Sequence, residues 1–129
     1  MAADGLITIP SSGTVEATLD RLEREVKARG IAVFARIDHA AGAASAGLAM
    51  RPTELLIFGN ATASTPLMQA TQTIGIDLPL KALACGDGSG SYNDPGWLAH
   101  VHGLDASSAD ATAMTAMLAS IAQKAAAAP

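Results

Sequence analysis

What this sequence has little of bounds its chemistry first. It carries one cysteine, Cys85, so no internal disulfide can form, and no paired-cysteine or cysteine–histidine cluster offers the spacing of a structural zinc site. Two phenylalanines, one tyrosine and one tryptophan are too few for a base-stacking platform. Eight basic against twelve acidic residues leave a formal charge of −4, which opposes a phosphate backbone and excludes nucleic acid as an expected partner. No uninterrupted apolar run reaches the roughly 18 to 20 residues that a membrane span needs, so the positive mean hydropathy of +0.29 traces to alanine. The start, MAADGLITIP, has an acid where a secretory leader carries bases, and its apolar run is short. A reducing cytoplasm without a membrane partner is the expected setting, for one domain over residues 1–129.

Within these bounds, hydrophobic spacing marks the elements. GLITIP reads as a strand closed by Pro10. Val15, Leu19, Leu22 and Val26 recur at steps of four, three and four, with Ser12 or Thr14 as cap and Gly30 as stop, which predicts an amphipathic helix with a solvated charged face. IAVFARI follows as a second strand, expected to pair parallel with the first because a helix connects them. DHAAGAASAGLAM predicts a small helix capped by Asp38, and TELLIF a third strand. In STPLMQATQTIG, Ser64 or Thr65 is the expected N-cap, Pro66 the first helical residue and Gly75 the stop. LPLKALAC and SYN flank a glycine-rich hairpin tip, Asp94-Pro95 opens a short helix, and Ser107 or Ser108 caps a last one. The fold class expected is α+β: a two-layer sandwich with one mixed sheet of about five strands and helices packed on it. Leu19, Leu22, Val26, Val33, Ile57 and Leu118 are the predicted core. Met50, Met68, Met114 and Met117 are read as core filler.

Five islands in order, FARIDHAAGA, RPTELLIFGNA, TPLMQA, IDLPLKAL and YNDPGWLAHVHGL, resemble the bacterial and archaeal domain of unknown function family 302. The resemblance runs from about Val15 to Leu104 and implies a compact α-and-β domain, a homodimer and no particular reaction. The family carries proline after the glycine–asparagine pair, where Ala61 stands here, which implies a more flexible loop.

Few residues can carry chemistry. His39, Asp77 and His102 stand at element ends, where a rigid scaffold presents functional groups, and histidine as a residue type titrates near physiological pH. They are the candidate acid–base residues: His39 acting with Asp77 or His102. A bland reading stands beside each, with His39 bonded to a carbonyl and Asp77 closing an Asx turn. Phe58, Asn60, Thr65, Met68, Tyr92 and Trp97 are the candidate ligand-binding residues, Phe58, Met68 and Trp97 lining a pocket between the sheet and the small helix. His100 and His102 lie two apart, about 200° on a helix, and cannot share a metal unaided. GDGSG lacks the lysine and strand–loop–helix setting of a phosphate loop, so no cofactor is expected. The expected function is a homodimeric small-ligand-binding module. The alternatives are an acid–base enzyme and a purely structural or interaction dimer. If the second and third strands run parallel, His39 and Asn60 share one end of the sheet. Asp77 joins them only if the fourth strand is antiparallel to the third.

Overall fold

In the computed structural model, which describes residues 4–127, the apolar stripe of the first helix decides which face of the sheet is covered. The first three residues, on which the reading of the chain's start rests, lie outside the described ones, as do the last two. Helix α1 (Val15–Ala28) is capped by Thr14, whose hydroxyl accepts from the Ala17 amide, and Gly30 ends it at a φ of 73°. Its Val15, Leu19, Leu22 and Val26 are all buried. They pack against β3 (Thr53–Gly59) and α5 (Ala109–Ala126), and burying each such side chain contributes about 1.5–3 kcal/mol.

The sheet has five strands in the order β1-β5-β4-β3-β2, with β1 at Leu6–Pro10, β2 at Ala32–Asp38, β4 at Leu80–Cys85 and β5 at Ser89–Asn93. Period-two alternation separates its faces. Leu56 and Phe58 are fully buried under the helices, as are Leu80, Ala82 and Ala84, whereas Leu55, Ile57, Lys81 and Leu83 are half-buried on the other face. The remaining helices are α2 (His39–Ser45), α3 (Ala61–Ala70) and α4 (Pro95–Val101), with a 3-10 turn at Gln72–Ile76 between α3 and β4.

The α+β class, one sheet with helices packed on it, is as the sequence predicts, but the sheet is antiparallel throughout rather than mixed. β1 and β2 do run in the same direction, yet they occupy opposite edges, because α1 carries the chain across three intervening strands. β2 and β3 are antiparallel neighbours, with Asp38 opposite Glu54. The expected parallel pairing requires a crossover helix lying on the sheet, and α2 buries none of its residues; it is a helical turn at the sheet's end.

Three local expectations also change. Asn60, not Ser64 or Thr65, caps α3, so Pro66 lies inside the helix, and the helix ends at Ala70 well before Gly75. Pro66 there forgoes one backbone hydrogen bond, to Thr62. Ile57 belongs to the half-buried face, and Met50 is exposed, whereas Met114 is core and Met68 and Met117 pack against it. The sidedness is checked by substitution: Leu22→Ala is expected to lose about 2–5 kcal/mol in urea unfolding and Ile57→Ala distinctly less. Equal losses would place α1 on the wrong face.

Candidate functional site

The pairing of β3 with β4 sets Phe58 opposite Leu80, and the chain just beyond each strand then meets at one end of the sheet. On one side are Gly59 and Asn60, on the other Leu78 and Pro79, joined by a cis peptide bond. Asn60 caps α3 by accepting the Thr62 amide at 2.8 Å, which fixes its side-chain orientation: the oxygen serves the helix and the NH2 is left as donor. Gly59 lies between two rings. A Cβ there would lie 3.3 Å from both the Phe34 ring and the Pro79 ring, so glycine lets the two rings approach across the strand end. Phe34 reaches this point because the β2–β3 register shifts between Val33 and Ala35, and such a bulge re-aims a side chain.

These residues line an open cleft of about 200 Å3 formed by Phe34, itself largely exposed, with Asn60, Thr65, Met68, Leu78 and Pro79, and with Gly59, Ala61 and Ser64 completing it. Its walls are apolar. One amide and two hydroxyls are the polar groups, and among the described residues no charged side chain lines it.

A second cluster stands at the same end of the sheet, on residues adjoining the cleft wall. His102 follows α4 as its C-cap, its amide donating to the Leu98 and Ala99 carbonyls, and Gly103 turns the chain away at a φ of 77°. A left-handed residue there is most readily glycine, and the helix end is thereby set. His102 Nε2 lies 2.5 Å from Asp77 Oδ2, and His102 Nδ1 lies 2.9 Å from Thr73 Oγ1. The His102 side chain is 11% exposed and that of Asp77 36%. Thr73, on the 3-10 turn, was not among the residues picked from sequence. TQTIG reads there as helix filler, and only the approach of α4 gives its hydroxyl a partner.

Among the residues picked from sequence, Asn60, Thr65 and Met68 meet in the cleft, and Asp77 and His102 meet beside it. His39 does not join them. It is exposed at the start of α2, at the opposite end of antiparallel β2 and β3, about 20 Å away at 3.3 Å per residue. Phe58, expected in the pocket, is fully buried in the core, because its place in the β3 alternation faces the helices. Tyr92 is likewise core. Trp97 lies with Asp94 and His100 in a separate open groove of about 620 Å3 against α5. His100 and His102 therefore face different surroundings. Among the described residues, no three His, Cys, Asp or Glu side chains are grouped to hold a metal ion.

The family model described as "Domain of unknown function DUF302" matches residues 7–125. A crystal structure of an uncharacterized conserved protein DUF302 from Bacillus stearothermophilus superposes with a TM-score of 0.84 at 20% identity, covering 95% of this chain and 99% of that one. At that identity the likeness speaks to the fold. Over 108 residues the chain is 51% identical to proteins named fluoride-specific ion channel FluC 1 from Brucella suis biovar 1 and Brucella abortus biovar 1. The match takes in 81% of this chain and 42% and 40% of theirs, so the chain spans less than half the length of these relatives. Among the described residues, no helix is long and apolar enough to cross a membrane.

Tyr92 offers a pH test of the packing that supports the site. Burial pushes its phenol pKa up, and the nearby Asp94 charge adds to this. The folded state thus favours the neutral phenol. This contribution is fully present below the unfolded value near 10 and is lost as pH rises through the folded value. Unfolding free energy measured from pH 8 to 11 is expected to fall at the alkaline end, with a shallower fall in Tyr92→Phe. Identical slopes would count against a buried phenol.

Proposed function

The chain belongs to the DUF302 family, whose name records no activity, and from that premise we propose that it is a small-ligand-binding module with the cleft at Asn60 and Pro79 as its site. One observation supports this reading above the others. The cleft gathers Phe34, Asn60, Thr65, Met68 and Pro79 from three separate stretches of chain at a single sheet end. Apolar walls with a few placed polar groups are the usual composition of a ligand site. With no charged side chain in the lining, a charged ligand would pay its desolvation unpaired. The ligand class is therefore a small, neutral, mostly apolar molecule with a hydrogen-bond acceptor for the Asn60 amide. Met68, unbranched and adaptable, shapes the wall to it.

Amide-resolved NMR titration with small neutral fragments tests the site. The expected shifts cluster on Phe34, residues 59–68 and Leu78, and disappear in Met68→Trp, which fills the cleft. Shifts confined to the Trp97 groove would overturn the reading. The name of the Brucella relatives, fluoride-specific ion channel, raises a second reading, in which the cleft serves that channel's ion against the disadvantage of an uncharged lining. Sodium fluoride forms a separate arm of the same titration, and unmoved cleft amides there would remove it.

The expected acid–base enzyme loses His39 as a partner, on distance, and keeps only Asp77 and His102. The homodimer is retained as part of the proposal. On the face of the sheet away from α1 and α5, Leu55 lies directly opposite Leu83, both half-buried, with Leu6 more exposed beside them. Such a surface suits a second copy. Light scattering at micromolar concentration is expected to give twice the 12.9 kDa chain mass, and a single-chain mass would remove the dimer from the proposal.

A further inference from the structure

We propose that Thr73, His102 and Asp77 form a hydroxyl–imidazole–carboxylate relay in which Thr73 is a nucleophile that accepts an acyl group from small activated esters. The proposal is independent of the cleft, since none of the three residues lines it. Nucleophilic hydroxyl catalysis needs a base within hydrogen-bond reach of the hydroxyl and a third group that orients the base. Both contacts are present: 2.9 Å from Thr73 Oγ1 to His102 Nδ1 and 2.5 Å from His102 Nε2 to Asp77 Oδ2.

The bonding pattern assigns the protons. An ionised carboxylate only accepts, so a neutral imidazole opposite it carries its hydrogen on Nε2 and turns the Nδ1 lone pair to the threonine. The ring nitrogens exchange the places they take in the serine-hydrolase triad, where the carboxylate holds Nδ1. Imidazole accepts a proton at either nitrogen, so the chemistry is the same.

Each member is held by backbone as well as by its partner. His102 is fixed at the capped end of α4, and the Asp77 amide donates to the Ile74 carbonyl at 2.9 Å across the turn that carries Thr73. A purely structural tie between α4 and the turn is already made by the His102–Asp77 bond. Thr73 is an exposed residue and its bond to His102 is at the surface, where water would satisfy the hydroxyl and an ester can reach it.

The step balances without a further reagent. Thr73 Oγ1 bonds to the acyl carbon and its proton passes to His102 Nδ1. The bond from that carbon to the ester's alkoxy oxygen breaks, and the departing oxygen takes the proton from Nδ1. Acyl-threonine and free alcohol result. A water molecule, giving its proton to Nδ1, then releases the carboxylic acid and restores the hydroxyl. Asp77 is a positioning residue, holding the ring through its Nε2 hydrogen.

The test uses p-nitrophenyl acetate on the whole chain, read by nitrophenolate release and by mass mapping of the acetyl group. One acetyl on Thr73, trapped by acid quenching before water releases it, is expected in the folded protein and none after denaturation. Thr73→Ser should keep the label and Thr73→Val abolish it. His102→Gln should slow it about a hundredfold, within the range general-base catalysis supplies. Asp77→Asn should slow labelling and displace its pH profile, which a bracing role alone would not do. Should the His102 or Asp77 variant lose its native circular dichroism, the exposed Thr73→Val change carries the decision. Acetyl found only on lysines, or label and release unchanged in Thr73→Val, overturns the proposal.

Discussion

The register that sets Phe58 opposite Leu80 is the constraint on which both the core and the candidate site depend. Because successive strand residues face opposite sides, that one alignment sends Leu56, Phe58, Leu80 and Ala82 together under α1 and α5. It also makes the two chain segments beyond the strands meet at a single end, Asn60 beside Pro79. Asp77, three residues before Leu80, is thereby carried toward α4 and His102. A slip of one residue would exchange the faces of the strand and lose core and cleft at once.

The outer edge of the sheet is secured differently. Arg36 on β2 reaches Asp20 at 2.8 Å, Glu54 at 3.0 Å and the Glu16 carbonyl at 3.3 Å, tying α1 to the edge strand. Burial alone would lower the Arg36 pKa, but the hydrogen bonds to Asp20 and Glu54 outweigh it and hold the guanidinium charged. This anchorage matters to the cleft because the register shift between Val33 and Ala35 lies close to it in the same strand. An edge strand pinned at Arg36 can carry the irregularity that turns Phe34 toward Pro79. The helices covering the core, the ion-paired edge and the cleft at Asn60 are thus linked through β2 and β3 rather than being independent features.

Most of the elements were legible because local rules set them. The α1 stripe, its Thr14 cap and its Gly30 stop, the hairpin tip around Gly88 and the Asp94-Pro95 opening all depend on neighbours within a few residues. The start of α3 departs from the local markers for the same reason in reverse. Pro66 is a strong local marker for a first helical position, yet Asn60 had already begun the helix, and packing of Leu67 into the core offsets the missing amide bond. At the site, Asn60, Thr65, Asp77 and His102 are legible as polar residues near element ends, and Met68 as an adaptable residue on a helix face. Phe34 and Thr73 are not, because their roles come from a bulge and from a helix docking some thirty residues further on.

The sequence by itself determined the order of the strands and main helices, the buried face of α1, the hairpin tip and the family. Capping, glycine and proline geometry and hydrophobic period are properties of adjacent residues. Only the tertiary structure decided that the sheet is antiparallel throughout, that β1 and β2 stand at opposite edges and that His39 lies about 20 Å from Asn60. Strand direction and neighbour choice depend on whether a connecting helix has enough apolar surface to lie on the sheet. α1 does, with four buried side chains in its stripe, and α2 does not, with none. That difference is a quantity of packing, settled by what each helix meets when the chain closes rather than by any motif along it.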